Sequence, residues 1–326
     1  MSSKQRHPKA SSPSKAHHPH PRAQHQASAV ARTAGAADWI GGARLRTLPL
    51  AVAPVVLGTG IGVFDGGPMA SRPVNAVLAL MVALCLQIGV NFANDYSDGV
   101  RGTDAHRVGP KRLTGSGLAA AKRVRAVAVS FFALAALAGV ALTILTQHWW
   151  LIALGAVAIL AAWFYTGGKR PYGYYGLGEV MVFLFFGLVA TDGSALVQSD
   201  VVFSPLALIA GAGVGLMAVA VLVANNLRDI EQDRAAGKRT LSVKIGALGS
   251  RILFALCMLL PFVAVWLFSL ILPAAGLAYF VLLMALPAAV IVGWAKTAQE
   301  LIWALQLASL AALAYGLILG VVFAIA

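Results

Sequence analysis

Charge is scarce in this chain. Only 11% of its 326 residues are Asp, Glu, Lys or Arg and 59% are hydrophobic, whereas an ordinary soluble domain carries about 25% charged residues. That balance excludes a soluble globular protein and points to a chain that crosses a membrane many times. Acid is scarcer still, with 12 Asp and Glu against 25 Lys and Arg, a net charge of +13. The excess is not a nucleic-acid footprint, because the bases fall between apolar runs in the pattern of a cytoplasmic membrane face. The two cysteines, Cys85 and Cys257, both lie inside apolar runs. They read as small core residues, which excludes a disulfide framework or a cysteine metal site.

Residues 1 to 36 lack an apolar run and are rich in Ser, Pro, His, Lys, Arg and Gln. Such a segment buries too little surface to offset chain entropy. The expectation is a disordered basic cytoplasmic tail over 1–36 and a transmembrane domain over 37–326. His17, His18, His20 and His25 read as solvated side chains of that tail, and no cleaved secretory signal is expected.

What is present in quantity is hydrophobic length. Nine runs are long enough to cross about 30 Å of hydrocarbon: 37–64, 74–97, 124–146, 149–167, 178–198, 204–228, 251–271, 275–295 and 299–324. The predicted fold is therefore all-α, a polytopic bundle of about nine helices. Of the 25 Lys and Arg, Arg72 alone falls on the side of the odd-numbered loops. The positive-inside rule then puts the N-terminus and the even-numbered loops in the cytoplasm.

Two of those cytoplasmic loops carry clustered acids. Asn225, Asp229 and Asp233 repeat every four residues at the end of the sixth run, so on a helix they share one face with a drift of about 40°. Asn91, Asn94, Asp95 and Asp98 sit similarly at the end of the second run, with Asp104 beyond. Each cluster precedes a basic connection, Gly109-Pro110-Lys111-Arg112 in one case and Gly237-Lys238-Arg239-Thr240 in the other, and the match predicts an internal duplication. Carboxylates at a membrane mouth are costly unless they hold a cation or a polar substrate.

Carboxylate and amide oxygens suit Mg²⁺, which is usually held by a few carboxylates together with substrate phosphates. Asp95, Asp98, Asp229 and Asp233, with Asn91 and Asn225, are the candidate metal ligands. Lys111, Arg112, Arg228, Lys238 and Arg239 are candidates for the remaining phosphate oxygens. A diphosphate at such a mouth, with apolar helices behind it, implies a substrate with a long hydrocarbon tail. Aromatic faces stabilise an allylic cation, and among the aromatics near the mouth, Phe92, Tyr96, Trp163, Phe164, Tyr165, Tyr172, Tyr174 and Tyr175, only Tyr165 is singled out for the site.

Asn225-xxx-Asp229-xxx-Asp233 and Asn91-xxx-Asp95-xx-Asp98 resemble the two Asp-rich motifs of the UbiA superfamily of intramembrane aromatic prenyltransferases. The nine spans and the position of the motifs match it too, over residues 37 to 326. Three stretches are most similar to the branch that acts on 1,4-dihydroxy-2-naphthoate: Asn94–Asp98 with Gly102-Thr103-Asp104, Tyr165–Gly168 with Pro171–Glu179, and Asn225–Val243. Asp98 stands three residues after Asp95, where the general motif has four, as in that branch. The resemblance implies a Mg²⁺-dependent transfer of a polyprenyl group from its diphosphate to the naphthoate, with loss of diphosphate and CO₂, giving demethylmenaquinone. It implies that Asn94 belongs to the substrate site, and that the acceptor carboxylate needs a counter-charge from Arg44, Arg46 or Lys169. Another acceptor, such as 4-hydroxybenzoate, a tetrapyrrole or a sugar phosphate, stays open, as does a transporter using its carboxylates for protons or substrate.

Overall fold

A computed structural model describes residues 33–67, 71–103 and 112–326 of the chain. The tail, Asp104 and Lys111 lie outside the described residues. Every regular element among the described residues is helical. In chain order these are α1 (Ala36–Ala43), α2 (Pro49–Gly66), α3 (Pro73–Arg101), α4 (Ala121–Thr146), α5 (Trp150–Phe164), α6 (Gly178–Ser199), α7 (Pro205–Arg228), α8 (Ile230–Ala235), α9 (Leu241–Ile271), α10 (Pro273–Trp294) and α11 (Ala298–Ile325).

Among the described residues eight of these are long and apolar enough to cross a membrane. The apolar helix α5 takes the fourth place expected from the sequence, but has 15 residues. At 1.5 Å per residue it is about 22 Å long, short of the roughly 30 Å of hydrocarbon. Two expected boundaries move. The first run is broken at Arg44, whose left-handed backbone (φ 56°, ψ 58°) separates the short α1 from α2. The seventh helix starts at Leu241, because the Thr240 hydroxyl accepts the Val243 N–H and caps it there. Arg251, expected at its start, lies inside α9 and donates to the carbonyls of Val292, Gly293 and Ala295 where α10 ends.

α7 runs through the core against α2, α6, α9 and α11. Small residues let the backbones meet, as is usual where lipid gives helices no hydrophobic reason to associate. A Cβ at Gly60 of α2 would lie 1.9 Å from the Gly320 carbonyl oxygen of α11. One at Gly187 would lie 2.7 Å from the Gly211 carbonyl of α7. Gly187 sits in a π-helical stretch of α6, Phe183–Val189, the kind of irregularity often found beside functional sites.

The loops sort to two ends. At one, the Arg72 guanidinium grips the Asp200 carboxylate at 2.9 and 2.5 Å, and His148 approaches the same carboxylate at 3.3 Å. At the other end lie the loops that follow α3, α5 and α7.

Candidate active site

The last turns of α3 carry Asn91, Asn94, Asp95 and Asp98 inward, and both acids are only 2% exposed. Asp95 accepts the backbone N–H groups of Leu113 and Thr114, each at 2.8 Å. The carboxylate thereby fixes the chain at Leu113 and Thr114, ahead of α4. Asp98 takes a different set: Arg112 Nη1 at 2.7 Å, the Tyr174 hydroxyl at 2.6 Å and Lys238 Nζ at 3.3 Å. Asn94 accepts the Thr166 hydroxyl at 2.7 Å, and Asn91 donates to the Ala43 carbonyl at 3.0 Å.

The second cluster is not one continuous helix. α7 ends at Arg228, Asp229 forms the junction (φ −99°, ψ 12°) and α8 begins at Ile230. The i→i−4 bonds from Asp229 N–H to Asn225 and from Asp233 N–H to Asp229 survive the junction, so the four-residue repeat still holds the three side chains near one another. Arg228 donates to both oxygens of Asp229, at 2.7 and 2.6 Å. Lys238 stands 3.7 Å from Asp233. Its ammonium thus lies between Asp98 of the first cluster and Asp233 of the second.

One cavity of about 420 Å³ takes in both clusters. Asn91, Asn94, Asp95, Asp98, Asn225, Asp229 and Asp233 line it, with Arg46, Arg112, Tyr165, Arg228 and Lys238. Lys169 and Arg239 do not. They line a separate cleft on the far side of Tyr174, because the backbone that brings Lys238 inward turns Arg239 out, its N–H bonded to the Tyr174 carbonyl at 2.8 Å. The sequence reading placed both with the substrate, and the structure places neither in this cavity.

Sequence reasoning passed over Tyr174. Its hydroxyl holds Asp98, and its ring lies 4.7 Å from Lys238 Nζ and 5.3 Å from Arg101 Cζ. Arg101 also donates to the carbonyls of Thr166 and Gly168, clamping the loop after α5 to the end of α3. Asn226 was missed as well; it lines the cavity and donates to the buried Glu179 at 2.9 Å. Tyr165 is seated by glycines: a Cβ at Gly173 would come within 2.9 Å of its Cε2, and one at Gly178 within 3.1 Å. Those glycines make room for the protein's own ring. Burial raises the phenol pKa of Tyr165, Tyr172 and Tyr174 above the ordinary range, with Glu179 adding to the effect at Tyr165 and Asp98 at Tyr174. All three stay protonated donors at neutral pH. Phe92, by contrast, is core, packed against Trp39 and Phe131.

Among the described residues no three acid, histidine or cysteine side chains converge closely enough to hold a metal unaided. The donor set still fits a hard cation that brings its own ligands. It consists of carboxylate and amide oxygens around one cavity, beside three cationic side chains suited to phosphate.

Comparison with known proteins bears on the family and the fold. The model of the UbiA prenyltransferase family matches residues 51–313. The chain is 47% identical over 251 residues to the 1,4-dihydroxy-2-naphthoate octaprenyltransferase of Mycobacterium tuberculosis, covering 77% of this chain and 80% of that protein. It is 39% identical over 238 residues to the Escherichia coli protein of the same name, covering 71% and 76%. A UbiA homolog from Archaeoglobus fulgidus, solved bound to DMAPP and Mg²⁺, superposes with a TM-score of 0.62 at 14% identity, over 86% of this chain and 98% of the other.

Proposed function

The chain belongs to the UbiA prenyltransferase family, and on that premise we propose that it transfers a polyprenyl group from its diphosphate to 1,4-dihydroxy-2-naphthoate, with release of diphosphate and CO₂, as a step of menaquinone synthesis. The observation that carries the reading is the single cavity with acids and bases at one end and apolar helix faces along the rest. Arg112, Arg228 and Lys238 bind and orient the diphosphate, exchanging part of their contact with Asp98, Asp229 and Asp233 for phosphate oxygens. Asp95, Asp98, Asp229 and Asp233, with Asn91 and Asn225, would hold Mg²⁺, which when bound offsets the negative charge that develops on the leaving diphosphate.

The allylic carbon–oxygen bond breaks with its electron pair leaving on diphosphate, while a ring carbon of the acceptor supplies the pair for the new carbon–carbon bond. The Tyr165 ring, fixed between Gly173 and Gly178, presents an aromatic face to the allylic cation. Arg46 supplies the counter-charge for the acceptor carboxylate until it departs as CO₂. Both substrates are held in near-attack geometry, which removes much of the entropic barrier. The basic loops put the mouth on the cytoplasmic side of the cell membrane.

The test is an incubation of the purified protein in lipid with Mg²⁺, a polyprenyl diphosphate and a panel of acceptors. The expected result is prenylation of 1,4-dihydroxy-2-naphthoate with one CO₂ per product and little reaction with 4-hydroxybenzoate. A preference for the benzoate, or a naphthoate product that keeps its carboxyl group, would contradict the assignment.

A further inference from the structure

Asn226 lines the cavity without belonging to the row Asn225, Asp229 and Asp233. On the helix it stands about 100° around from Asn225 and shares a face with Leu222, four residues earlier, which also lines the cavity. That face lies against the start of α6. A Cβ at Gly178 would come within 3.4 Å of Leu222 Cδ2, 3.1 Å of Tyr165 Cε2 and 3.4 Å of the Tyr165 hydroxyl oxygen. Asn226 is therefore in the part of the wall that holds the Tyr165 ring.

The residue after Gly178, Glu179, fixes how the Asn226 amide is turned. Glu179 is 5% exposed and sits in the first turn of α6, where free backbone N–H groups favour a carboxylate. A carboxylate only accepts hydrogen bonds, so it is the Asn226 Nδ2 that faces it, at 2.9 Å. The carbonyl end, Oδ1, is left over. Among the described residues no protein donor meets that oxygen, and the residue borders the cavity.

A carbonyl oxygen in this position calls for a donor. Of the species that the proposed reaction brings together, the ionised diphosphate and the prenyl chain carry no N–H or O–H, and Mg²⁺ belongs with the acids on the other face of the helix. The naphthoate carries two hydroxyls. Its 1-hydroxyl is next to the carboxylate and bonds to it within the molecule, which leaves the 4-hydroxyl free to donate.

We propose that Asn226 Oδ1 accepts a hydrogen bond from the 4-hydroxyl of the naphthoate, with Glu179 as the positioning residue that keeps the amide oxygen turned to the cavity. The inference rests on the prenyl-transfer reading and adds to it how the site recognises a hydroquinone acceptor. An acceptor without that hydroxyl leaves the amide oxygen unpaired, and the penalty selects against it.

The experiment titrates 1,4-dihydroxy-2-naphthoate, and 1-hydroxy-2-naphthoate, which lacks the 4-hydroxyl, into the full chain in lipid, loaded with Mg²⁺ and an unreactive prenyl thiodiphosphate. The parent should bind the dihydroxy compound about tenfold more tightly, the scale of one hydrogen bond to a group otherwise left unpaired. In Asn226→Ala the ratio of the two Kd values should fall to near one, through weaker binding of the dihydroxy compound alone. In Glu179→Gln, where the neutral amide no longer dictates how the asparagine turns, the ratio should fall part of the way. Asn226→Ala combined with Glu179→Gln leaves no buried carboxylate unpaired, so it keeps the test readable if Asn226→Ala does not fold. Binding of the thiodiphosphate should be unchanged throughout. A parent ratio near one, a ratio that the substitutions do not move, or weaker binding of Mg²⁺ and thiodiphosphate in place of the acceptor would overturn the proposal. A parent that binds neither naphthoate would instead overturn the functional reading on which it rests.

Discussion

The two acid clusters look alike in sequence and differ in what surrounds them. At the end of α3, Asp95 is bonded to two backbone amides of the following loop, and Asp98 to Arg112, Tyr174 and Lys238; both are 2% exposed. After α7, Asp229 and Asp233 are 8% and 9% exposed, and the partners seen for them are cationic side chains, Arg228 and Lys238. A side-chain cation can swing to a phosphate, but a backbone amide cannot. The first cluster therefore shapes the mouth as well as serving it, and the second sits beside cations that a bound phosphate can draw off.

The largest expected effect falls on the second cluster. Asp233→Ala should lower kcat about 10²–10³-fold, the scale of losing one preorganised electrostatic contact, with the ligand-free melting temperature nearly unchanged because Lys238 keeps Asp98. Asp229→Ala should lower kcat as far and also melt lower, since it strands the buried Arg228 guanidinium. Steady-state turnover and a melting curve on the same sample check both halves. Asp95→Ala should lose turnover and stability together. Leaving two buried amides without their charged acceptor costs about 2–4 kcal/mol, and proteolysis between residues 112 and 120 should accelerate. If Asp95→Ala melts like the parent, the two clusters are equivalent and the contrast fails.

Tyr174→Phe sharpens the contrast at lower cost. The phenylalanine ring keeps its place beside Lys238 and Arg101 but no longer donates to Asp98. The expected result is a rise of about 5–10-fold in KM for the prenyl diphosphate, equivalent to one hydrogen bond of roughly 1 kcal/mol, with a smaller change in kcat. The raised pKa of the Tyr174 hydroxyl means that no alkaline loss of activity below about pH 10 should trace to this residue.

The smallest effect belongs to the opposite end of the bundle. Arg72 holds the Asp200 carboxyl below its ordinary pKa, so the pair contributes stability above the unfolded value, near pH 3.9, and loses it as pH falls through the lowered value. The side chains are 39% and 46% exposed, and Asp200→Ala should cost less than about 1 kcal/mol with no change in turnover.

Much of this site was legible in the sequence because period-four spacing at the end of an apolar helix is a local signal. Asn225, Asp229 and Asp233 stay together even though the helix breaks at Asp229, since the i→i−4 bonds cross the junction. What spacing cannot show is reach between helices. Lys238 meets Asp98 across 140 residues, and nothing in the run Gly237-Lys238-Arg239 says that one base turns inward and its neighbour outward. Gly173 and Gly178 were visible in the sequence, but nothing in their spacing says that the ring they make room for is Tyr165. The broken first run was hidden because Arg44 adopts its left-handed backbone without a glycine to signal it.

The most direct test is the melting temperature of Asp95→Asn and Asp233→Asn in lipid, with and without Mg²⁺ and an unreactive prenyl thiodiphosphate. The account predicts that Asp233→Asn melts like the parent when ligand-free and loses most of the ligand-induced rise, while Asp95→Asn melts lower before any ligand is added. A normal ligand-free melting temperature for Asp95→Asn, or a lowered one for Asp233→Asn, would contradict it.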